Sequence, residues 1–222
     1  MNQSAVINAG ENIYEKSIKI VESLLEDNAG FHNKYSCLEQ QIVKRVIHAT
    51  SDVSYAGSVF FKNKPAEKTI ELIKDKIAKN EPLKIVCDSE MTKAGISKNV
   101  NKKAVLDVNC FINHENLPKS TGQTKSAVAI RHAIGEILPD IIVIGNAPTA
   151  LLAVIDYCGE LTKTSNYFPS LIVGMPVGFV GASESKTLLY ENDIFNSIGN
   201  FGNFGGSSPA AAVLNALLHE SL

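Results

Sequence analysis

Asp140-Ile-Ile-Val-Ile-Gly-Asn-Ala-Pro-Thr149 is the stretch that decides the fold. Four successive branched apolar residues, with no polar residue between them, predict a strand covered on both faces. Gly145 permits close backbone approach, Asn146 is placed to cap a helix, and Pro148 suits that helix's first turn. On either side the same texture repeats. Short apolar runs at 83–87, 104–108 and 170–174 predict three further strands. Helical spacing marks residues 90–96, 124–138, 148–161 and 183–190, and an alanine-rich helix is expected over 208–220. Non-alternating strands spaced by helices define an α/β class: a three-layer αβα arrangement around a mainly parallel sheet. A helical N-terminal portion precedes it. There Ile13, Ile18, Ile20, Val21, Leu24 and Leu25 recur at helical spacing, with a stop signal at Asn28-Ala-Gly30. Further helices are expected over 36–48 and 65–79. Residues 52–61 carry no clear pattern, and the glycine-rich 199–206 reads as a loop.

The 222 residues are 45% apolar and 20% charged, which excludes disorder and fits one domain over 1–222. A net charge of −2 argues against a broad nucleic-acid-binding face, and no 18-residue apolar run exists to span a membrane. The polar N-terminal stretch is unlike a signal peptide, so a cytoplasmic location is expected. Cys37, Cys87, Cys110 and Cys158 lie far apart, without a C-x-x-C or zinc spacing, and are expected as buried or half-buried free thiols.

Ligands of open parallel sheets bind beyond the strands' carboxyl ends. Here those ends carry Cys87-Asp-Ser-Glu-Met91, Asp107-Val-Asn-Cys-Phe111, Gly145-Asn-Ala-Pro-Thr149 and Gly174-Met-Pro-Val-Gly178-Phe-Val-Gly181. With the loop at 199–206 they offer uncrowded backbone N–H groups near helix starts, a rim suited to carboxylates or phosphates. No intact phosphate loop is present, since Ser185 precedes Lys186 where a glycine is required, and no dinucleotide fingerprint opens a βαβ unit. Five histidines can exchange protons near neutrality. His219 is near the end of the sequence, His32 falls in a polar stretch, and His114 and His132 have no compelling neighbours. His48 ends an apolar helix and enters Ala49-Thr-Ser-Asp52, where a polar helix end can meet a cleft.

The chain resembles the precorrin-8X methylmutase family. Ile13-Tyr-Glu-Lys-Ser17 is similar to the family's first helix, and Arg45-Val-Ile-His48-Ala-Thr-Ser-Asp52 to its histidine signature. Val86-Cys-Asp-Ser-Glu-Met91 leading to Gly95-Ile-Ser97, and Thr124-Lys-Ser-Ala127, match two further motifs. Val143–Leu151 and Gly174–Lys186 are nearly verbatim family strings, and Gly205-Gly-Ser207 before an alanine-rich helix closes the pattern. The resemblance implies an isomerase that moves a methyl group from C-11 to C-12 of precorrin-8X, or of cobalt-precorrin-8, to give hydrogenobyrinate or cobyrinate. It implies a corrinoid substrate, no cofactor, no metal ligand set and a homodimer, with the N-terminal helices and the alanine-rich helix as possible interface elements.

The family's catalytic histidine maps onto His48, and its supporting polar positions onto Ser17, Ser97 and Lys125. The rim predicted above adds Gly145, Asn146, Gly178, Gly205, Gly206 and Ser207 as substrate-binding positions. A histidine near its ordinary pKa can protonate the macrocycle, provided it faces a cavity wide enough for a corrinoid. Four positions depart from the pattern: Lys125 stands for arginine, Ser97 for threonine, Ser51 for glycine and Asn203 for a basic residue. A non-catalytic corrinoid-binding protein of the same fold is the alternative reading.

Overall fold

The run at 140–149 becomes the middle of a six-stranded sheet in the computed structural model of the chain, which describes residues 3–97, 101–118, 122–165 and 167–222, with side chains from residue 13 onward. In chain order the elements are α1 (Gln3–Leu25), α2 (Ala29–Lys34), α3 (Cys37–Thr50), α4 (Tyr55–Ser58), β1 (Val59–Lys62), α5 (Pro65–Lys79), β2 (Leu83–Cys87) and α6 (Glu90–Gly95). They continue with β3 (Leu106–Cys110), α7 (Lys125–Ile137), β4 (Ile141–Ile144), α8 (Pro148–Thr164), β5 (Leu171–Gly174), α9 (Ala182–Glu191), β6 (Ser197–Asn200) and α10 (Ser207–Glu220). The strand order is β1-β6-β5-β4-β2-β3. All pairings are parallel except that of the edge strand β1 with β6.

Strand alternation splits the apolar runs between two cores. Ile141 and Val143 face one core with Val43, Val46, Leu214 and Leu217, from α3 and α10. Ile142 and Ile144 face the other with Ala133, Leu151, Val154 and Leu189, from α7, α8 and α9. Every β4 side chain is therefore buried, which is why no polar residue interrupts the run. The expected mainly parallel three-layer fold is confirmed, with α1 and α3 joining α10 in one helical layer. α10 is buried from Pro209 to Leu218. That removes it as an interface element, because its alanines let it lie close against α3 and α6. α1 differs: Ile13, Ile20 and Leu24 are each at least 60% exposed on its outer face.

Several boundaries differ from the sequence reading. α1 ends at Leu25, just ahead of the expected stop at 28–30, but the Asn28 side chain accepts the Phe31 N–H and starts α2, so His32 lies on a helix and bonds the Leu25 carbonyl at 3.0 Å. β3 runs two residues later than expected, in register with β2 from Leu83↔Leu106. β1 and β6 were not anticipated. β6 reads Ser-Ile-Gly-Asn, and takes residues 199 and 200 from the expected loop. Its Gly199 meets the Phe60 ring so closely that a Cβ would stand 2.5 Å from it. Cys37 is exposed at the start of α3, whereas Cys87 and Cys158 are buried and Cys110 is half-buried, all four as free thiols. Burial raises the Cys110 pKa to about 11 and that of Cys158 to about 12, leaving both as unreactive thiols.

Candidate active site

α3 starts with a capping box, in which the Ser36 side chain accepts the Glu39 N–H and the Glu39 carboxylate accepts the Ser36 N–H. It ends at Ser51, a C-cap in the left-handed region with φ 54°. That conformation favours glycine, which gives a physical reason for the family's glycine at this position. His48 sits in the last turn before this cap, half-buried. Its Nδ1 lies 2.7 Å from the Ser17 Oγ of α1. The Tyr14 ring meets it edge-on at 5.0 Å, and the Arg45 guanidinium covers that tyrosine at 4.6 Å. Burial, and then the Arg45 charge, hold the His48 pKa below its ordinary 6.5. The ring is thus neutral at pH 7. We assign the Ser17 hydroxyl as donor to Nδ1, which places the ring proton on Nε2. Among the described residues Nε2 has no hydrogen-bond partner.

The imidazole is half-buried and not walled off, but it does not line the groove beside it, where a cavity wide enough for a corrinoid was expected. The adjoining groove, about 280 Å³, is lined by Tyr14, Ile18, Arg45, Ala216 and His219 and not by His48. Among the described residues no enclosed cavity of corrinoid size surrounds the ring. At this end of α3 the start of α10 lies against the helix: the Ser208 hydroxyl donates to the Ala49 carbonyl at 2.9 Å.

The glycine rim is built differently from expectation. β2 leads outward to β3 through α6 on one face, and β4 leads to β5 through α8 on the other. The crevice between β2 and β4 is therefore the topological switch point. A side chain of the protein fills it. The buried Asp88 carboxylate accepts the N–H groups of Gly145 (3.0 Å), Asn146 (2.9 Å) and Ala147 (2.7 Å), with the Thr92 hydroxyl 3.4 Å away. Its pKa is raised by burial, against the pull of these donors. Gly145 and Asn146 therefore do not offer free backbone donors. Nor does Asn146 cap α8: the N-cap is Ala147, without a side-chain bond. Gly145 serves close approach, since a Cβ there would stand 2.6 Å from the Thr92 Oγ1 and 2.8 Å from the Ser207 Cα.

The other rim positions sort in the same way. The Gly178 N–H donates to the Asn203 carbonyl at 3.0 Å, and that of Gly206 to the Met175 carbonyl at 2.8 Å. The Ser207 hydroxyl accepts from Thr92 at 2.8 Å and lies 3.3 Å from the Ser89 hydroxyl. Gly205 keeps a backbone N–H with no partner among the described residues, and it is half-exposed. Ser97 lies just past α6, its N–H accepted by the Asn215 side chain of α10 at 2.9 Å. Lys125 opens α7 on the opposite face of the sheet, exposed, its Nζ 3.4 Å from the Asn113 Oδ1. The structure thus unites Ser17 with His48, and links that pair to the Ser207–Ser208 start of α10. Lys125 stands apart at the same carboxyl edge.

Asp88, Tyr14, Arg45 and Ser208 were not singled out from the sequence. Asp88 carried a signal, as an acid immediately after a buried strand. His114 and His132, expected to lack neighbours, lie together with ring centroids 5.4 Å apart, His114 stacked on Phe111 and His132 3.2 Å from Glu136. Among the described residues, no cluster of three histidine, cysteine or acidic side chains could hold a metal ion, and no helix is long and apolar enough to cross a membrane.

A mainly parallel sheet, a neutral histidine held by a hydroxyl at a helix end, and a glycine rim at the strands' carboxyl edge define an α/β enzyme with acid–base capacity. Its family follows from comparison. The precorrin-8X methylmutase family model matches residues 12–220. The chain is 40% identical to a cobalt-precorrin-8 methylmutase of Methanocaldococcus jannaschii, over 96% of this chain and 95% of that one. It is 34% identical to a cobalt-precorrin-8 methylmutase of Leptospira interrogans, over 96% and 94%. The crystal structure of a precorrin-8X methylmutase from Thermus thermophilus superposes with a TM-score of 0.78 at 28% identity, covering 94% of this chain and 96% of that one. The chain belongs to the precorrin-8X methylmutase family. It is an isomerase, a methylmutase of cobalamin biosynthesis.

Proposed function

We propose that this isomerase moves the methyl group of precorrin-8X or cobalt-precorrin-8 from C-11 to C-12, with His48 as proton donor to the macrocycle. The observation that carries the reading is a half-buried His48 whose Nδ1 is held by Ser17 at 2.7 Å while its Nε2 has no hydrogen-bond partner among the described residues. Proton transfer from Nε2 of the imidazolium form, in which Nδ1–H donates to the Ser17 Oγ, leaves a neutral imidazole, redistributes the macrocycle's π-electrons and weakens the bond from C-11 to its methyl. The methyl migrates with its bonding pair, and the proton returns to the imidazole as product forms. Substrate and product are isomers, so the step consumes no oxidant, reductant or leaving group. General acid help of this kind supplies about 10²–10⁴-fold, and the remainder comes from holding the ring in one geometry.

The substrate's acetate and propionate arms meet the rim at Gly205 and Ser207, with Lys125 as a point charge. Ser97 keeps the hydroxyl of the threonine it replaces. The cobalt-precorrin names of the two relatives favour the cobalt form. Incubation of the purified protein with each substrate form, without added cofactor, is expected to give a coloured corrin product. Tight product binding without turnover would favour a carrier instead.

The protein works as a cytoplasmic homodimer. The exposed Ile13, Ile20 and Leu24 form one apolar stripe on α1, the helix that carries Ser17, and support this arrangement. Sedimentation is expected to give twice the 23.9 kDa chain mass, and a monomer would refute the assignment.

A further inference from the structure

Lys186 takes no part in the steps above, yet among the described residues it is the largest charged side chain to be fully buried. It lies on α9, whose start is the left-handed Gly181. Its ammonium donates to the Phe204 carbonyl at 2.6 Å, and among the described residues no carboxylate lies within ion-pair distance of it. The Asn200 Nδ2 donates to the same carbonyl at 2.8 Å. A buried cation without a counter-ion is unfavourable, and a protein keeps one only where something else requires it.

The consequence lies on the other side of the peptide. The Phe204 carbonyl and the Gly205 N–H belong to one planar trans unit, so a carbonyl turned toward Lys186 sends the N–H the opposite way. Two donors on the carbonyl, one of them charged, polarise the unit and strengthen the N–H as a donor. The peptide is also fixed in place. A Cβ on Gly205 would stand 2.4 Å from the Met175 carbonyl oxygen and 2.7 Å from that of Pro176, so Gly205 is packed directly on the chain leaving β5. Of the six rim amides, those of Gly145, Asn146, Gly178 and Gly206 are already bonded within the protein, which leaves those of Gly205 and Ser207. Gly205 follows Asn203 and Phe204 and precedes the start of α10, whose first turn adds partial positive charge.

We infer that Lys186, assisted by Asn200, is a positioning residue that orients and polarises the Phe204–Gly205 peptide so that the Gly205 N–H binds a carboxylate arm of the corrinoid. The inference rests on the corrinoid reading above and supplies that reading with one specific anion contact. Carboxylate binding there places a negative charge one peptide away from the buried ammonium, and so provides the counter-charge that the unliganded protein lacks.

The pH dependence gives a readout that mere packing would not move. Burial lowers the Lys186 pKa to about 8. The ammonium is therefore present at neutrality and lost on passing into alkaline solution, while the substrate carboxylates stay ionised. Few other groups can mimic this. β6 and the loop at 201–206 carry no titratable side chain. On α8, Asp156 and Glu160 pair with Arg131. On α9 itself the titratable groups are Glu184, Tyr190 and Glu191.

The test uses the full-length protein, with cobyrinate as probe. Its affinity for the wild type is expected to fall about tenfold between pH 7 and pH 9.5, the size of one charge-assisted hydrogen bond, with a midpoint near 8. Lys186→Met is expected to bind about tenfold more weakly at pH 7 and to lose that midpoint, with KM raised far more than kcat is lowered. Lys186→Arg, which keeps the charge, is expected to recover part of the affinity. Wild-type affinity and an unchanged pH profile in folded Lys186→Met would overturn the inference. Should that variant fail to fold, a wild-type profile flat from pH 7 to 9.5 overturns it equally. In either case wild-type turnover of precorrin-8X would leave the corrinoid reading standing, whereas absence of both turnover and cobyrinate binding in the wild type would remove both.

Discussion

His48→Asn is expected to lower turnover by about 10²–10⁴-fold while leaving affinity for the corrin product within about threefold, because general acid help vanishes but the rim is untouched. Asparagine keeps a polar side chain at the end of α3. It supplies no group that exchanges a proton near neutrality, and it cannot reproduce the ring's edge contact with Tyr14 at 5.0 Å. The pH profile offers a second reading of the same group. Burial and Arg45 lower the His48 pKa, so the free enzyme reaches its more acidic, imidazolium form only below 6.5. That form donates the proton, so kcat/KM rises as pH falls, with an inflection below 6.5, and the inflection disappears in the variant. Stability follows the opposite sign. A base whose folded pKa lies below its unfolded value takes up its proton more readily when unfolded, so His48 lowers stability as pH drops through 6.5. Wild-type kcat in His48→Asn, or a profile identical in both proteins, would end the proton-donor role.

How far the sequence could be read depended on whether a residue's partner was local. β4 was legible because burial on both faces demands four apolar residues in a row, and no other element does that so briefly. Ser36, Glu39 and Thr124 announce helix starts because a cap joins neighbours three residues apart. β6 was illegible because Ser197 and Asn200 are polar residues on a fully buried strand, where the Asn200 Nδ2 bonds only the Phe201 and Phe204 carbonyls of the turn that follows and its Oδ1 has no partner among the described residues. β1 went unread for the same reason, since its antiparallel pairing depends on β6.

The site divides along the same line. His48 stood out through its position at a helix end, and the resemblance brought Ser17 to it across 31 residues of sequence. The glycines were correctly seen as places of close approach, but the direction of each N–H was not encoded locally. Gly145 and Asn146 turn their amides inward because Asp88, 57 and 58 residues earlier, arrives at the same crevice from the end of β2. No periodicity in either segment contains that fact.

Asp88→Ala is expected to lose about 3–6 kcal/mol of stability, since it leaves three inward-turned backbone N–H groups without their acceptor, each worth about 1–3 kcal/mol when buried and partly compensated by water. Against a total of about 5–15 kcal/mol for a typical domain, that brings the protein close to unfolding at ordinary temperature. The damage extends beyond the crevice. The carboxylate ties the end of β2 to the start of α8, and its partner Thr92 donates to Ser207, at the start of α10, at 2.8 Å. Releasing Asp88 therefore loosens the start of α10, which Ser208 ties to Ala49 beside His48, and turnover should fall further than the unfolded fraction accounts for. Asp88→Asn should lie between the two, because one carboxamide oxygen can still accept while its NH₂ opposes a backbone N–H. Urea unfolding of the three proteins measures the effect. An Asp88→Ala midpoint within about 1 kcal/mol of wild type, at equal slope, would show that water replaces the carboxylate fully and that the crevice between β2 and β4 does not depend on its charge.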